Sequence, residues 1–154
     1  MTKQKTMTTS QATSKAWLLK ELTGGVQETA SLSCFLPLQP VPASRPRVTR
    51  WGTYYSKTYK EWIAAATELI ESADVTLEGN LFVVCRALVK PARTTKLHQP
   101  KPDVDNYAKA PLDIITKADG YWEDDHQIST LLVGKRFTLP EEQEGSAIAI
   151  FEYK

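Results

Sequence analysis

Two groups of carboxylates are the residues of this sequence best suited to chemistry. Asp103 and Asp105 are two residues apart, and in an extended chain residues i and i+2 point to the same side. Asp124 and Asp125 follow an Asp-Gly turn and can supply a third carboxylate from a neighbouring element. Three carboxylates around one point repel each other unless a divalent cation neutralises them, and oxygen ligands favour Mg²⁺, with Mn²⁺ possible. The spacing therefore predicts a divalent metal site, with Lys109 rising beside Asp105 one helical turn later.

Two other kinds of metal site do not fit the spacing. An EF-hand loop that began at Asp103 would need Gly at its sixth position and Glu at its twelfth, but Ala108 and Ile114 stand there. Zinc is disfavoured because the sequence has no Cys pair at ligand spacing and its two histidines are far apart. No glycine-rich phosphate loop is found among the 7 glycines, so no nucleotide cofactor is expected.

A purely structural interpretation of the first acidic pair also exists. Asp105 would be the N-cap of a helix and would pair with Lys109, a contact worth only about 0.5 kcal/mol. This interpretation explains one aspartate. It explains neither Asp103 nor the second acidic group.

Charge is divided unevenly along the chain. Residues 1–102 carry 14 Lys and Arg against 7 Asp and Glu, whereas residues 103–154 carry 5 against 11. Basic surface beside a carboxylate cluster suits a protein that grips phosphates around a bound cation, although charge runs are also typical of solvated faces. The candidate phosphate contacts are Arg45, Arg47, Arg50, Lys90, Arg93, Lys96 and Lys101. Three aromatic residues, Trp51, Tyr54 and Tyr55, are candidates for stacking on unpaired bases, or else for ordinary packing.

The hydrophobic pattern predicts one α+β domain over residues 31–154, preceded by a flexible arm at 1–30. Its main elements follow the order β-α-β-α-β-β, with a mixed sheet and two main helices. A capping box of Thr58 and Glu61 would begin the first helix, whose apolar stripe includes Leu69. Pro111 should kink the second helix or mark where its regular hydrogen bonding begins. The predicted strands are 31–38, 81–89, 128–139 and 147–153, the last two antiparallel, and the predicted helices begin near 58 and 103.

The location of the protein is predicted from what the sequence lacks. No apolar run approaches the roughly 20 residues of a membrane span, and the first fifteen residues lack the apolar core of a secretory signal. Cys34 and Cys85 lie in apolar runs and are interpreted as buried free thiols. We therefore expect a soluble, cytoplasmic protein with no membrane partner.

Three separated motifs resemble the RusA family of Holliday-junction endonucleases, which is common in phages and prophages. They are Lys-Pro-Asp-Val-Asp-Asn at 101–106, then Lys109, then Asp-Asp-His-Gln at 124–127. The segment at 40–62, with its Arg-Pro-Arg and tyrosines, resembles the family's opening, and the likeness covers about residues 31–153. The resemblance implies a RusA-like domain that acts as a homodimer, in the cytoplasm of a bacterial host if a phage encodes it.

The resemblance also assigns roles to individual residues. Asp103, Asp105 and one aspartate of the 124–125 pair match the family's metal-binding catalytic acids, and Asp125 is favoured because it is the acid that precedes x-Gln. Lys109 matches the catalytic lysine. Two further acids, Asp113 and Asp124, are candidates for supporting the ligands without touching the metal, and the alternative for Asp113 is a simple ion pair with Lys109 or Lys117.

The implied reaction is Mg²⁺-dependent resolution of four-way junctions in DNA recombination and repair. Paired symmetric nicks would leave 5′-phosphate and 3′-hydroxyl ends. The alternatives are a related metal nuclease for flaps or forks, a non-catalytic branched-DNA-binding protein, and an acidic protein-interaction module.

Overall fold

A computed structural model describes residues 30–43 and 47–152. The predicted arm at 1–30 therefore lies almost entirely outside the described residues, as do Arg45 and the side chain of Tyr54. None of the helices in the described residues is both long enough and apolar enough to cross a membrane.

The architecture is α+β, with one mixed four-stranded sheet, as predicted. The sheet strands are β1 (Leu32–Leu36), β5 (Leu81–Val89), β7 (Ile128–Phe137) and β8 (Gly145–Glu152). Two pairs of short strands accompany it, the hairpin β2 (Arg47–Thr49) and β3 (Gly52–Tyr54) and the parallel pair β4 (Thr76–Leu77) and β6 (Tyr121–Trp122). The helices are α1 (Lys57–Leu69) and α2 (Lys109–Lys117), with short 3-10 helices at Val104–Tyr107 and Asp125–Gln127.

The sheet is built around β5, in the order β1-β8-β5-β7. Strand β5 pairs antiparallel with β8 and parallel with β7. Its nearly continuous apolar sequence, buried on both faces, suits this central position. The last two predicted strands do run in opposite directions, but they are not neighbours because β5 lies between them.

Helix α1 begins earlier than the sequence pattern suggested. The N-cap is Ser56, which has extended backbone angles and whose hydroxyl accepts a hydrogen bond from the amide of Tyr59 at 3.3 Å. The predicted capping box of Thr58 and Glu61 is therefore wrong, because both residues already lie inside the helix. Leu69, expected on the apolar stripe, is exposed as the last residue of α1.

The predicted second helix is divided into two parts. A 3-10 helix covers Val104–Tyr107, and regular α-helix begins only at Lys109. Pro111 is the third residue of α2, where its missing amide proton costs no helical hydrogen bond, so it marks the start of regular bonding as predicted.

Helix α2 lies between the sheet and α1. Its predicted stripe, Ala108, Leu112 and Ile115, is buried in one apolar cluster with the central strands. Ala110 and Ile114 are buried in a second cluster, with α1. Because α2 is packed on two sides, its exposed face is held in a fixed orientation.

Gly120 makes the turn that connects α2 to β6. Its φ of +87° lies in the left-handed region, and a Cβ there would collide with the backbone of Ala73. The turn leads directly into Tyr121, which pairs in register with Thr76. This connection brings the second acidic group back beside α2.

Candidate functional site

The first acidic pair lies at the entrance to α2. Asp103 has extended backbone angles and occupies the N-cap position of the 3-10 helix, but its side chain makes no capping hydrogen bond. Asp105 lies inside that helix. The two aspartates therefore do not share the extended conformation in which residues i and i+2 point to the same side. Both side chains are exposed, and neither bonds to another side chain or backbone group among residues 30–43 and 47–152. The capping interpretation of Asp105 is therefore wrong.

Lys109 is held by Asp113 instead of Asp105. Its Nζ donates a hydrogen bond to Oδ1 of Asp113 at 3.1 Å, as the alternative interpretation of Asp113 predicted. This bond and the carboxylate charge raise the pKa of Lys109, and the charge of Asp125 raises it further. The Lys109 side chain is 63% exposed, so it remains accessible to a ligand while the bond to Asp113 holds its position.

The second acidic group forms a tight turn, residues 123–127, which we call the acidic turn. Asp124 accepts hydrogen bonds from the backbone amide and the Nδ1 atom of His126, at 3.4 and 3.2 Å. A hydrogen bond between the two carboxyls lowers the pKa of Asp124 and raises that of Asp125, so the two titrate as a pair. The charge of Asp113 also raises the pKa of Asp125, and Lys109 lowers it. Residues from two distant motifs therefore lie within electrostatic reach of each other.

Gln127 clamps the acidic turn to the neighbouring backbone. Its Oε1 accepts from the amides of Glu123 and Asp124 at 2.9 and 3.1 Å. Its Nε2 donates to the carbonyls of Leu77 and Gly79 at 3.0 and 3.2 Å. The motif glutamine thus fixes the carboxylates of the turn relative to the rest of the fold.

We expect Gln127→Ala to impair DNA cleavage more than it impairs folding. Four hydrogen bonds are lost, each worth about 1 kcal/mol, and the acidic turn then moves relative to Lys109. Cleavage rates and urea unfolding would be measured side by side, with Gln143→Ala as the matched control, since within the described part of the chain the side chain of Gln143 bonds only to the adjacent Glu144 carbonyl. If Gln127→Ala is less stable but its folded fraction cleaves at the wild-type rate, Gln127 is not needed to position the acidic turn for cleavage.

Lys135, on β7, performs a similar function for the first acidic pair. Its half-buried ammonium donates to the carbonyls of Pro100 and Pro102, both at 2.6 Å. These carbonyls belong to the short segment that leads into Asp103, so the entry to the 3-10 helix is tied to the sheet. The sequence gives no signal for this role, since Lys135 stands beside Arg136 at the end of a mixed strand.

Lys135→Met should release this tether while keeping most of the packed volume. Two carbonyls lose a charged donor, so we expect a loss of about 2 kcal/mol in unfolding free energy and a higher Mg²⁺ concentration for half-maximal cleavage. Lys117→Met, which removes an exposed lysine from the last turn of α2, serves as the control. An unchanged Mg²⁺ requirement would limit Lys135 to a stabilising role.

The candidate ligands have the chemistry that the predicted metal ion requires, but not yet its geometry. All candidate ligands are carboxylate oxygens, and like charges crowd around Asp125, which is the chemistry that a hard divalent cation neutralises. Within the described part of the chain, however, no group of three or more His, Cys, Asp or Glu side chains is already arranged to hold a metal. The ligand chemistry fits Mg²⁺, whereas the three predicted ligands are not preassembled.

The predicted phosphate contacts lie on two surface segments. Arg47 and Arg50 are exposed on the β2–β3 hairpin. In the loop after β5, Lys90 lines a cleft together with three glutamates of the β7–β8 connection, which is an unfavourable setting for a phosphate. The remaining basic residues of that loop, Arg93, Lys96 and Lys101, are exposed.

The fold and site together define an α+β protein with exposed carboxylates, a lysine held beside them and basic residues exposed on two surface segments, a composition typical of a nuclease. The family model for endodeoxyribonuclease RusA matches residues 37–143. The chain belongs to the RusA family of endodeoxyribonucleases, which act on Holliday junctions, as the sequence motifs predicted. No curated protein matches the chain.

Proposed function

We propose that this protein is a Mg²⁺-dependent endonuclease that resolves four-way DNA junctions during recombination and repair. The observation that carries the proposal is the placement of Lys109 and Asp125, from separate motifs, within electrostatic reach of each other in a chain of this family. The exposed basic residues of the hairpin and of the loop before the acidic pair supply phosphate contacts that set affinity more than sequence preference.

The metal would be held by Asp103, Asp105 and Asp125, with Mn²⁺ as a possible substitute. When bound, it would polarise the scissile phosphate and lower the pKa of a water molecule. Lys109 places a fixed positive charge where negative charge develops on the phosphate. Asp113 orients that ammonium, and Asp124 influences the protonation of Asp125 through their shared hydrogen bond.

The substrate requires two cuts, which is why the proposal includes a homodimer. A two-fold dimer presents two equivalent sites to a junction that is itself nearly two-fold symmetric. Each site would hydrolyse one strand and leave 5′-phosphate and 3′-hydroxyl ends. The cytoplasm, where such junctions form in bacterial cells, is the proposed location.

Cleavage of a labelled synthetic four-way junction tests the proposal. Wild-type protein would be incubated with the junction, a Y-fork and linear duplex in Mg²⁺, in Mn²⁺ and in EDTA. Paired symmetric nicks in the junction alone, absent in EDTA, are the expected result. Equal cleavage of the Y-fork would mean that the protein is a metal nuclease for branched DNA in general and not a junction resolvase. Binding of the junction without cleavage in either metal would overturn the enzymatic assignment.

A further inference from the structure

We propose that the β2–β3 hairpin, residues 47–54, stacks Trp51 on a base exposed at the branch point of the DNA, beside the acidic site. This inference rests on the proposed function and names a specific part of its substrate. It gives the hairpin the role of recognising the branch, through one of the three aromatic residues that the sequence offered for stacking.

The hairpin presents Trp51 outward at its tip. Arg50 and Trp51 are the two residues between the strands, and Trp51 is 76% exposed. The hydroxyl of Thr49 accepts from the Trp51 amide at 3.2 Å and donates to the Gly52 carbonyl at 3.1 Å, which fixes the turn. The indole is therefore presented from an ordered turn and lies outside the hydrophobic core.

The described segments on either side of the hairpin contact the candidate site. Upstream, where the described chain stops at Ala43, the amide of that residue donates to the carbonyl of Asn106 at 2.7 Å, within the 3-10 helix that follows Asp103. On the other side, the ring of Tyr55 stacks on Tyr59 at 5.4 Å, and both tyrosines line a cleft with Asp113. A strand held at the acidic site would therefore pass close to the hairpin.

The chemistry of the tip suits a nucleobase next to phosphate. The Arg50 guanidinium lies 4.7 Å from the centroid of the Trp51 ring, and Arg47 is exposed on the same hairpin. No acidic residue occurs between positions 45 and 60. Aromatic side chains flanked by cations bind bases by stacking on their faces, and paired duplex leaves those faces covered by neighbouring bases. A branch point is where a base face becomes accessible within an otherwise paired substrate.

Binding measurements on Trp51 variants test this role. In EDTA, which prevents metal-dependent cleavage, Trp51→Ala should bind a four-way junction about tenfold more weakly than wild type and bind linear duplex equally well. Trp51→Phe should retain most of the junction preference. Val48→Ala is the matched control, because Val48 is an apolar hairpin residue that is 81% exposed but offers no ring to stack.

A fluorescent base distinguishes stacking from other roles of the tip. With 2-aminopurine at the branch point, the Trp51→Ala complex should be brighter than the wild-type complex, because stacking quenches this base, and the same probe within an arm should show no difference. Equal affinity and equal fluorescence would overturn the inference alone. A Trp51→Ala protein that loses dimerisation, seen by sedimentation, would instead assign the tip to contact with a second copy. If wild-type protein shows no preference for the junction over duplex, the proposed function fails first.

Discussion

Asp105→Asn should reduce junction cleavage by about 100-fold or more while junction binding stays equal or becomes stronger. The substitution removes a negative charge from a proposed metal ligand, and with it the electrostatic stabilisation of the reacting phosphate. Binding should survive because the exposed carboxylate makes no bond to the rest of the described chain, so its loss disturbs no described contact. The substitution should also reduce the electrostatic repulsion between the acidic pair and the DNA phosphates. Single-turnover cleavage and gel-shift titration in EDTA measure the two effects separately.

The control for this variant is Asp119→Asn, which removes another exposed aspartate just beyond the end of α2. It should cleave at the wild-type rate. Melting curves with and without millimolar Mg²⁺ add a second readout, because a ligand that binds only the native state raises the melting temperature of the protein. The rise in melting temperature caused by Mg²⁺ should be smaller in Asp105→Asn than in wild type and unchanged in Asp119→Asn. Wild-type cleavage by Asp105→Asn would remove this residue from the site.

The elements that were predicted well are those whose signal is local. The apolar run 81–89 indicated a strand, and it became the centre of the sheet. The stripe of Ala108, Leu112 and Ile115 has helical spacing, and all three side chains are buried against the central strands. A continuous apolar run of strand length and an apolar stripe at the helical period are both visible in a single sequence.

The elements that were missed depend on contacts between distant parts of the chain. Nothing local in the strands 128–137 and 145–152 indicates that β5 lies between them. Gln127 belongs to a recognisable motif, but its clamp depends on carbonyls 48 and 50 residues away. Lys135 bonds to carbonyls 33 and 35 residues away. Side-chain bonds to backbone carry no sequence preference at the accepting end, so no pattern could have predicted these partners.

The error over the partner of Lys109 has a more specific cause. Residues four apart face each other only within continuous α-helix. Asp105 lies in the preceding 3-10 helix, whereas Asp113 lies four residues further on within α2 itself. The site residues were therefore identified from the sequence, but their pairing depended on where regular helix begins.

Lys109→Met should lower the rate of junction cleavage by about 100-fold and leave junction affinity within severalfold of wild type. The variant keeps the aliphatic bulk of the side chain but removes the cation that we propose to stabilise charge on the reacting phosphate. Lys117→Met is the matched control, since it removes an exposed lysine from the last turn of the same helix. Equal losses in both variants would mean that α2 contributes only general attraction for DNA.

The pH dependence of cleavage separates two possible roles of this lysine. The bond to Asp113 raises the pKa of Lys109, so its ammonium should stay protonated well above neutral pH. A fixed cation adds no ionisation of its own near neutral pH. The rise in rate at acid pH, as Asp125 with its raised pKa ionises, and any further rise should then appear in Lys109→Met as well as in wild type. A general base would instead need the neutral amine, so the wild-type rate would climb about tenfold per pH unit between about pH 7 and 9 and Lys109→Met would lose that climb. Asp113→Asn should weaken the hold on the ammonium without removing its charge, and should therefore cost less activity than Lys109→Met. Profiles of the same shape in wild type and Lys109→Met, together with that ranking, would assign Lys109 to charge stabilisation, whereas a climb that is lost in Lys109→Met would make it the proton acceptor.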